Sequence, residues 1–304
     1  MKAQLKSGWL RNGWFYIILT GVLFGTLGLC TKFLTTRGLD PFTCAVVPFC
    51  ITALIALVIR PRNSGRVPWI EGIAMGAVNA AGPALMFNVG FSRLPASVVT
   101  LILALGPVFT ALTAHFVFHD DRFTRIKGLG LALSLTGVGL LAGFPSGGER
   151  PGYALALTLA GAALSGSSLV WVKRLANLYQ PKFLLAPMMT GAALLSVVVA
   201  TVIGYAPWVV EISLPQWALM AVMGIGGLVT FFSSLKANEL NPASRAGLMG
   251  YLVPIVGVTG GALVFAEPIT LGLLAGGALV IAGVALVGIT RRQIASPGTL
   301  TDPS

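Results

Sequence analysis

Charge is scarce in this chain, and acid scarcest of all. Nine aspartates and glutamates stand among 304 residues, and charged side chains of both signs amount to 10%, against about a quarter in an ordinary soluble domain. A water-exposed surface cannot be built from so few. Histidine is represented twice and cysteine three times, as Cys30, Cys44 and Cys50, all within apolar runs. An odd number without paired spacing excludes a disulfide framework and offers no metal-ligand pattern. The cysteines therefore read as small hydrophobes, and neither a metal nor any other cofactor is expected. His115 and His119 share a helix face, but a metal needs more ligands than two. A membrane-embedded lipid enzyme would need catalytic acids or a His-rich cluster. His115, His119, Asp120 and Asp121 are the nearest approach and lack a nucleophile, so no enzyme is expected.

What fills the chain instead is apolar. Hydrophobic residues make up 56% and the mean hydropathy is +0.88. Glycine (38) and proline (18) are both frequent, which suits helices packed in lipid, where small residues let backbones approach. A membrane span needs about 20 mostly apolar residues. Ten such stretches are found, at 13–35, 41–59, 68–91, 95–118, 125–143, 152–173, 182–205, 214–237, 242–265 and 269–290. The first is too long for a signal peptide and is followed by more of its kind. The links between them are short, and many hold proline or glycine, leaving no room for a soluble domain. Residues 293–304 read as a flexible polar tail.

The formal net charge of +11 does not point to nucleic acid, because the 20 lysines and arginines fall in clusters between spans and not along one face. They read as topology signals. With the N-terminus inside, 16 of them gather on the cytoplasmic side: Lys2, Lys6, Arg11, Arg60, Arg62, Arg66, Arg122, Arg125, Lys127, Lys173, Arg174, Lys182, Lys236, Arg245, Arg291 and Arg292. Only 4 remain opposite, Lys32, Arg37, Arg93 and Arg150. Both termini are therefore expected on the cytoplasmic side of the membrane.

The two halves echo one another. Leu94-Pro95-Ala96-Ser97, Pro107 and Phe118 correspond to Asn241-Pro242-Ala243-Ser244, Pro254 and Phe265, each pair 147 residues apart. Five spans in each half is an odd number, so the second copy must enter the bilayer from the other side. The expected fold is an all-α integral membrane protein of ten transmembrane helices, arranged as two inverted five-helix repeats around a central cavity. The repeats are expected at 1–146 and 147–292. Inverted repeats mark transporters, because the symmetry relates an inward-open state to an outward-open one of similar energy.

The run Pro242-Ala243-Ser244, Pro254, Glu267, Gly283-Val284 and its weaker copy Pro95-Ala96-Ser97, Pro107, Asp121, Gly137-Val138 resemble the duplicated EamA-type domain of the drug/metabolite transporter superfamily. The resemblance covers nearly the whole chain. It implies an inner-membrane carrier whose first, third, fourth, sixth, eighth and ninth helices surround the cavity. It also implies amino acids or similar amphipathic metabolites as cargo, aromatic ones included if the chain is similar to the YddG-like branch. A multidrug or lipid carrier of the same fold is the alternative. The partners expected are a small-molecule substrate and the lipid bilayer, with the chain acting as a monomer.

Polar and aromatic residues on apolar spans nominate the site, since each costs free energy unless it meets a partner or water. Asn79, Pro83, Met86 and Gly90 lie at helical spacing on span three, with Phe87 beside them. Thr100 comes from span four, Ser165, Ser168 and Trp171 from span six, Thr230 and Phe231 from span eight, and Tyr251 from span nine. Pro107 and Pro254, at matching depths, are the expected hinges. Lys32 and Lys173, in the last turns of spans one and six, are expected to snorkel to the interface. No carboxylate sits near the midplane, which favours facilitated movement over a proton-driven cycle.

Overall fold

The computed structural model describes residues 13–61, 68–118, 124–143, 152–205, 212–241 and 249–294. Within them ten membrane helices run in chain order. They are α1 (Trp14–Thr36), α2 (Thr43–Ile59), α3 (Trp69–Arg93), α4 in two halves (Ala96–Leu103 and Gly106–Phe118) and α5 (Arg125–Gly143). The second set is α6 (Gly152–Leu178), α7 (Pro181–Val202), α8 (Leu214–Leu240), α9 (Met249–Phe265) and α10 (Leu271–Ile294). The ten expected spans are thus the ten helices. Pro242, Ala243, Ser244, Arg245, His119, Asp120 and Asp121, which figure in the sequence argument, lie outside the described residues.

Helix packing follows the logic of lipid, in which small residues rather than hydrophobicity bring helices together. The most extensive helix pair is α5 with α10, the fifth helix of each half. A Cβ added to Gly130 would stand 2.6 Å from the Gly283 carbonyl, and one added to Gly137 would stand 2.6 Å from that of Gly276. As the residue number rises along α5 it falls along α10, so the two helices are antiparallel. A helix antiparallel to its own repeat mate is what inverted repeats require. Around the outside, Ile70, Leu214 and Leu263 are more than four-fifths exposed, which in this chain is the lipid-facing surface.

Two helices are irregular, and proline explains both. In α3, Pro83 has no N–H for the carbonyl four residues earlier, and its ring crowds that carbonyl. The turn Gly76–Ala81 widens to π geometry, with the Gly82 N–H donating to the Ala77 carbonyl five residues back. In α4 the helix breaks at Ala104 and Leu105, just ahead of Pro107. α4 is also deeply set, its apolar stretch 67% buried where those of α1 and α6 are 33% buried. Its Val98, Val99, Leu101, Ile102 and Leu105 pack against Val138 and Leu141 of α5 and Val280, Val284 and Val287 of α10.

Candidate functional site

A cavity in two chambers runs between the halves. The smaller, about 110 Å³, is lined by Phe24, Gly28 and Thr31 of α1, Pro48, Phe49 and Thr52 of α2, Asn79, Pro83, Phe87, Asn88 and Phe91 of α3, and Met223 and Phe231 of α8. The larger, about 210 Å³, is lined by Thr20 and Gly21 of α1, Gly106, Pro107 and Thr110 of α4, Lys173 of α6, Ser234 and Asn238 of α8, and Met249, Gly250 and Val253 of α9. Phe24, Phe87, Leu103 and Ser165 belong to both walls and form the waist. Six expected helices contribute, and α2 joins them.

Aromatic and polar groups divide the smaller chamber. Phe231 stands between Phe24 and Phe49, with ring centroids 6.2 and 6.4 Å away. Asn79 donates from Nδ2 to Ser168 Oγ at 2.9 Å, and Ser168 Oγ donates onward to the Ser165 carbonyl at 3.1 Å. Asn88 Nδ2 holds the Pro41 carbonyl at 3.1 Å. An amide engaged on one side of α3 and a ring cluster on the other suit a solute with an apolar body and a polar head.

The waist carries the mark of the repeat. Pro107 and Pro254 each remove the N–H that would bond the carbonyl four residues earlier, and those carbonyls belong to Leu103 and Gly250. Both residues line the larger chamber. Backbone acceptors without a helical partner are tolerated at membrane depth where they line a cavity. The break in α4 lies directly against α9, since a Cβ on Gly250 would sit 3.6 Å from Pro107 Cγ.

Of the expected site residues, Asn79, Pro83, Phe87, Ser165, Phe231 and Pro107 line the cavity. The packing sets the others away from the cavity wall. Met86 is turned to α6, where a Cβ on Gly161 would lie 3.1 Å from its own Cβ. The widened turn at Gly76–Ala81 adds about one residue to the period, so the cavity face passes through 83, 87 and 91 instead of 86 and 90. Thr100 and Thr230 are buried and bond the carbonyls of their own helices, Thr100 to Ala96 at 2.9 Å and Thr230 to Gly226 at 2.7 Å. Ser168 stands one layer behind Asn79. Trp171 is 42% exposed on the outer face, and Tyr251 packs onto the apolar cluster around α4. Pro254 is buried within a continuous α9, so the break expected of a hinge pair occurs only at Pro107. Sequence reasoning missed Phe24, Phe49 and Asn88. The only available signal was an aromatic or amide on an apolar span, too common a feature to single them out.

Beyond the smaller chamber, a polar joint ties the halves together. Lys32 Nζ donates to the Leu94 carbonyl at 2.7 Å, so its head is held by the link between α3 and α4 rather than reaching outward. Glu267, in the link between α9 and α10, accepts the Ala96 N–H at 2.6 Å on one oxygen. On the other it accepts the Ser97 N–H at 3.1 Å and the Ser97 hydroxyl at 2.8 Å. A carboxylate there caps the first turn of α4, where the helix dipole favours negative charge. The aim of Glu267 is set by Ala266, whose φ of +52° makes it the one described non-glycine residue in the left-handed region. Such a conformation costs about 1 kcal/mol or more and persists where surrounding contacts demand it.

Among known proteins, the EamA-like transporter family matches twice, at residues 11–143 and 152–289. An uncharacterized transporter of Archaeoglobus fulgidus is 24% identical over 285 residues, covering 90% of this chain and 98% of the relative. A probable terminal-alkyne amino-acid exporter of Streptantibioticus cattleyicolor is 29% identical over 267 residues, 86% of this chain and 87% of the relative. The uncharacterized transporter YdfC of Bacillus subtilis is 26% identical over 260 residues, 82% of each chain. A solved crystal structure superposes with a TM-score of 0.65 at 20% identity, covering 92% of this chain and 98% of that one, which speaks for the fold. The relatives are transporters and not enzymes. With both matched segments together spanning most of the sequence, and ten helices around a two-chambered cavity, this chain is a multi-pass membrane protein belonging to the EamA-like transporter family.

Proposed function

We propose that this protein exports a small zwitterionic metabolite, an amino acid with an apolar side chain, across a bacterial inner membrane by alternating access. The observation that carries this reading is the pair of repeat-related residues Leu103 and Gly250. Both residues line one chamber wall, and the proline four residues after each leaves its carbonyl without a helical N–H, which offers an ammonium group acceptors near the repeat junction. Phe24, Phe49, Phe87 and Phe231 supply the apolar surface for a side chain, and Asn79 and Asn88 a polar margin. Chambers of about 110 and 210 Å³ favour a small metabolite over a drug-sized molecule, whose pockets run about 300–1,000 Å³. The amino-acid exporter among the relatives supports the same class of cargo.

In this reading the Glu267 joint closes the end of the cavity beyond the smaller chamber, and the larger chamber serves the opposite end. The clustering of basic residues supports a cytoplasmic setting for that opposite end and for both termini. Rocking of the two repeats, with the α4 break near Pro107 as hinge, exchanges the two ends. Because the cavity is enclosed by one chain, a monomer suffices. Counterflow of radiolabelled amino acids into proteoliposomes tests this directly. Exchange of at least one apolar amino acid above protein-free vesicles is expected. Exchange of lipids or cationic drugs with no amino acid would overturn it.

A further inference from the structure

We propose that Phe24 is the size filter of the carrier: its ring divides the cavity into two chambers and sets the largest side chain that an amino acid can bring through. This rests on the reading of the chain as an amino-acid carrier and names the residue that limits its cargo. The first observation is position. Among the described residues, Phe24, Phe87, Leu103 and Ser165 line both chambers, and Phe24 is the one that α1 contributes. About one turn before it Gly21 lines the larger chamber, and about one turn after it Gly28 lines the smaller. α1 thus presents a ring at the waist between two positions that carry no side chain.

The second observation is what holds the waist. A Cβ added to Gly21 would stand 2.6 Å from Leu252 Cβ, and one added to Gly25 would stand 2.7 Å from Val256 Cβ. The backbone of α1 therefore lies flush on α9 and has no room to draw back towards it. Phe87, the other ring of the waist, is buried, and a Cβ on Gly161 of α6 would sit 2.8 Å from its Cε1. Phe24 is half-buried and meets Phe231 edge-on, with centroids 6.2 Å apart. A helical phenylalanine has χ1 wells near 180° and −60°, so exchange between them shifts the ring without moving the helix. Size supplies the third observation. Chambers of about 110 and 210 Å³ each fall short of a drug-sized pocket, and joined they reach the lower end of its range of about 300–1,000 Å³. The ring at the waist is what separates a site for small amino acids from a site for larger amphipathic molecules.

The test uses full-length protein in proteoliposomes and counterflow of whichever of labelled valine, leucine or phenylalanine is carried. The competitors share one zwitterionic head and grow in side chain: valine, leucine, phenylalanine and biphenylalanine, which carries a second ring. In the unaltered protein biphenylalanine is expected to compete at least about tenfold more weakly than phenylalanine. Phe24→Ala is expected to bring the two within about twofold, with Phe24→Leu between. Phe24→Trp should weaken phenylalanine about tenfold and leave valine within about twofold of its value in the unaltered protein. Opposite shifts from one position do not arise from lost folded protein, and rates are taken per mole of monodisperse protein. Leu103→Ala, at the same waist, should shift the series as Phe24→Ala does and decides the matter if that variant fails to fold. If amino acids are carried but competition does not fall with side-chain size, or the variants shift every size alike, the filter is wrong and the carrier reading stands. If no amino acid is carried, the carrier reading falls and takes the filter with it.

Discussion

Asn79 occupies the turn where α3 widens, and its amide both faces the smaller chamber and bonds Ser168 Oγ at 2.9 Å. Losing that bond costs little stability, because Ser168 keeps its bond to the Ser165 carbonyl and interhelical hydrogen bonds in bundles average about 0.6 kcal/mol. Losing a polar contact to cargo costs more in transport. Asn79→Leu is therefore expected to lower counterflow about tenfold at subsaturating cargo, while melting shifts by no more than about 1 kcal/mol equivalent. Trp171→Ala, at a side chain 42% exposed on the outer face, should leave counterflow within about twofold of the unaltered protein. Equal losses in the two variants would contradict the cavity wall drawn here. The same two residues show what could be read from sequence. An amide on an apolar helix announces a site because its cost is high, and Asn79 was legible for that reason. A tryptophan, a threonine or a methionine is welcome in lipid, in a helix groove or at a cavity, so Trp171, Thr100, Thr230 and Met86 could not be sorted before the packing was known.

At the scale of helices, hydropathy alone located all ten spans, since a run of apolar residues long enough to cross the bilayer has few other uses. The irregularities were only half legible. Proline announces that a helical hydrogen bond is lost but not how the helix responds: α3 widens before Pro83, α4 breaks before Pro107, and α9 stays continuous through Pro254. Pro107→Ala restores the N–H opposite the Leu103 carbonyl, and we expect it to lower transport several-fold with folded yield unchanged. Pro254→Ala, in a helix that never broke, should have the smaller effect on transport. Comparing counterflow per mole of monodisperse protein for the two variants checks the ordering. The joint at the start of α4 supplies a second expectation. Glu267→Gln keeps the shape but removes the charge and sets an NH₂ against a donor from Ser97, at a cost of about 1–3 kcal/mol. If that joint holds one end shut, a cysteine placed at Thr31 in a cysteine-free background should react faster with an impermeant maleimide once Glu267→Gln is added. An unchanged rate would mean the joint only caps the helix.

Across the whole molecule, the antiparallel seam of α5 and α10 and the shared wall at Leu103 and Gly250 express one symmetry, and that symmetry bears on how transport is driven. Its sequence trace was the 147-residue offset. The offset revealed duplication, and the odd number of spans in each copy revealed inversion, but neither could show that Leu103 and Gly250, each four residues before a repeat-related proline, line one chamber. A proton-driven cycle needs a group that gains and loses a proton as the cavity changes sides, and intramembrane carboxylates are the usual relay. No aspartate or glutamate stands among the described residues of either chamber. Glu267 lies at one end, committed to three donors of α4. With the two states related by symmetry and no titrating acid in the wall, cargo should flow down its own gradient. We therefore expect amino-acid counterflow to run at the same rate with and without a transmembrane pH difference, and amino acid never to accumulate above equilibrium when that difference is the only driving force. Concentrative uptake driven by a pH gradient, abolished by a protonophore, would show that a proton site exists and would move attention to Glu267 as its first candidate.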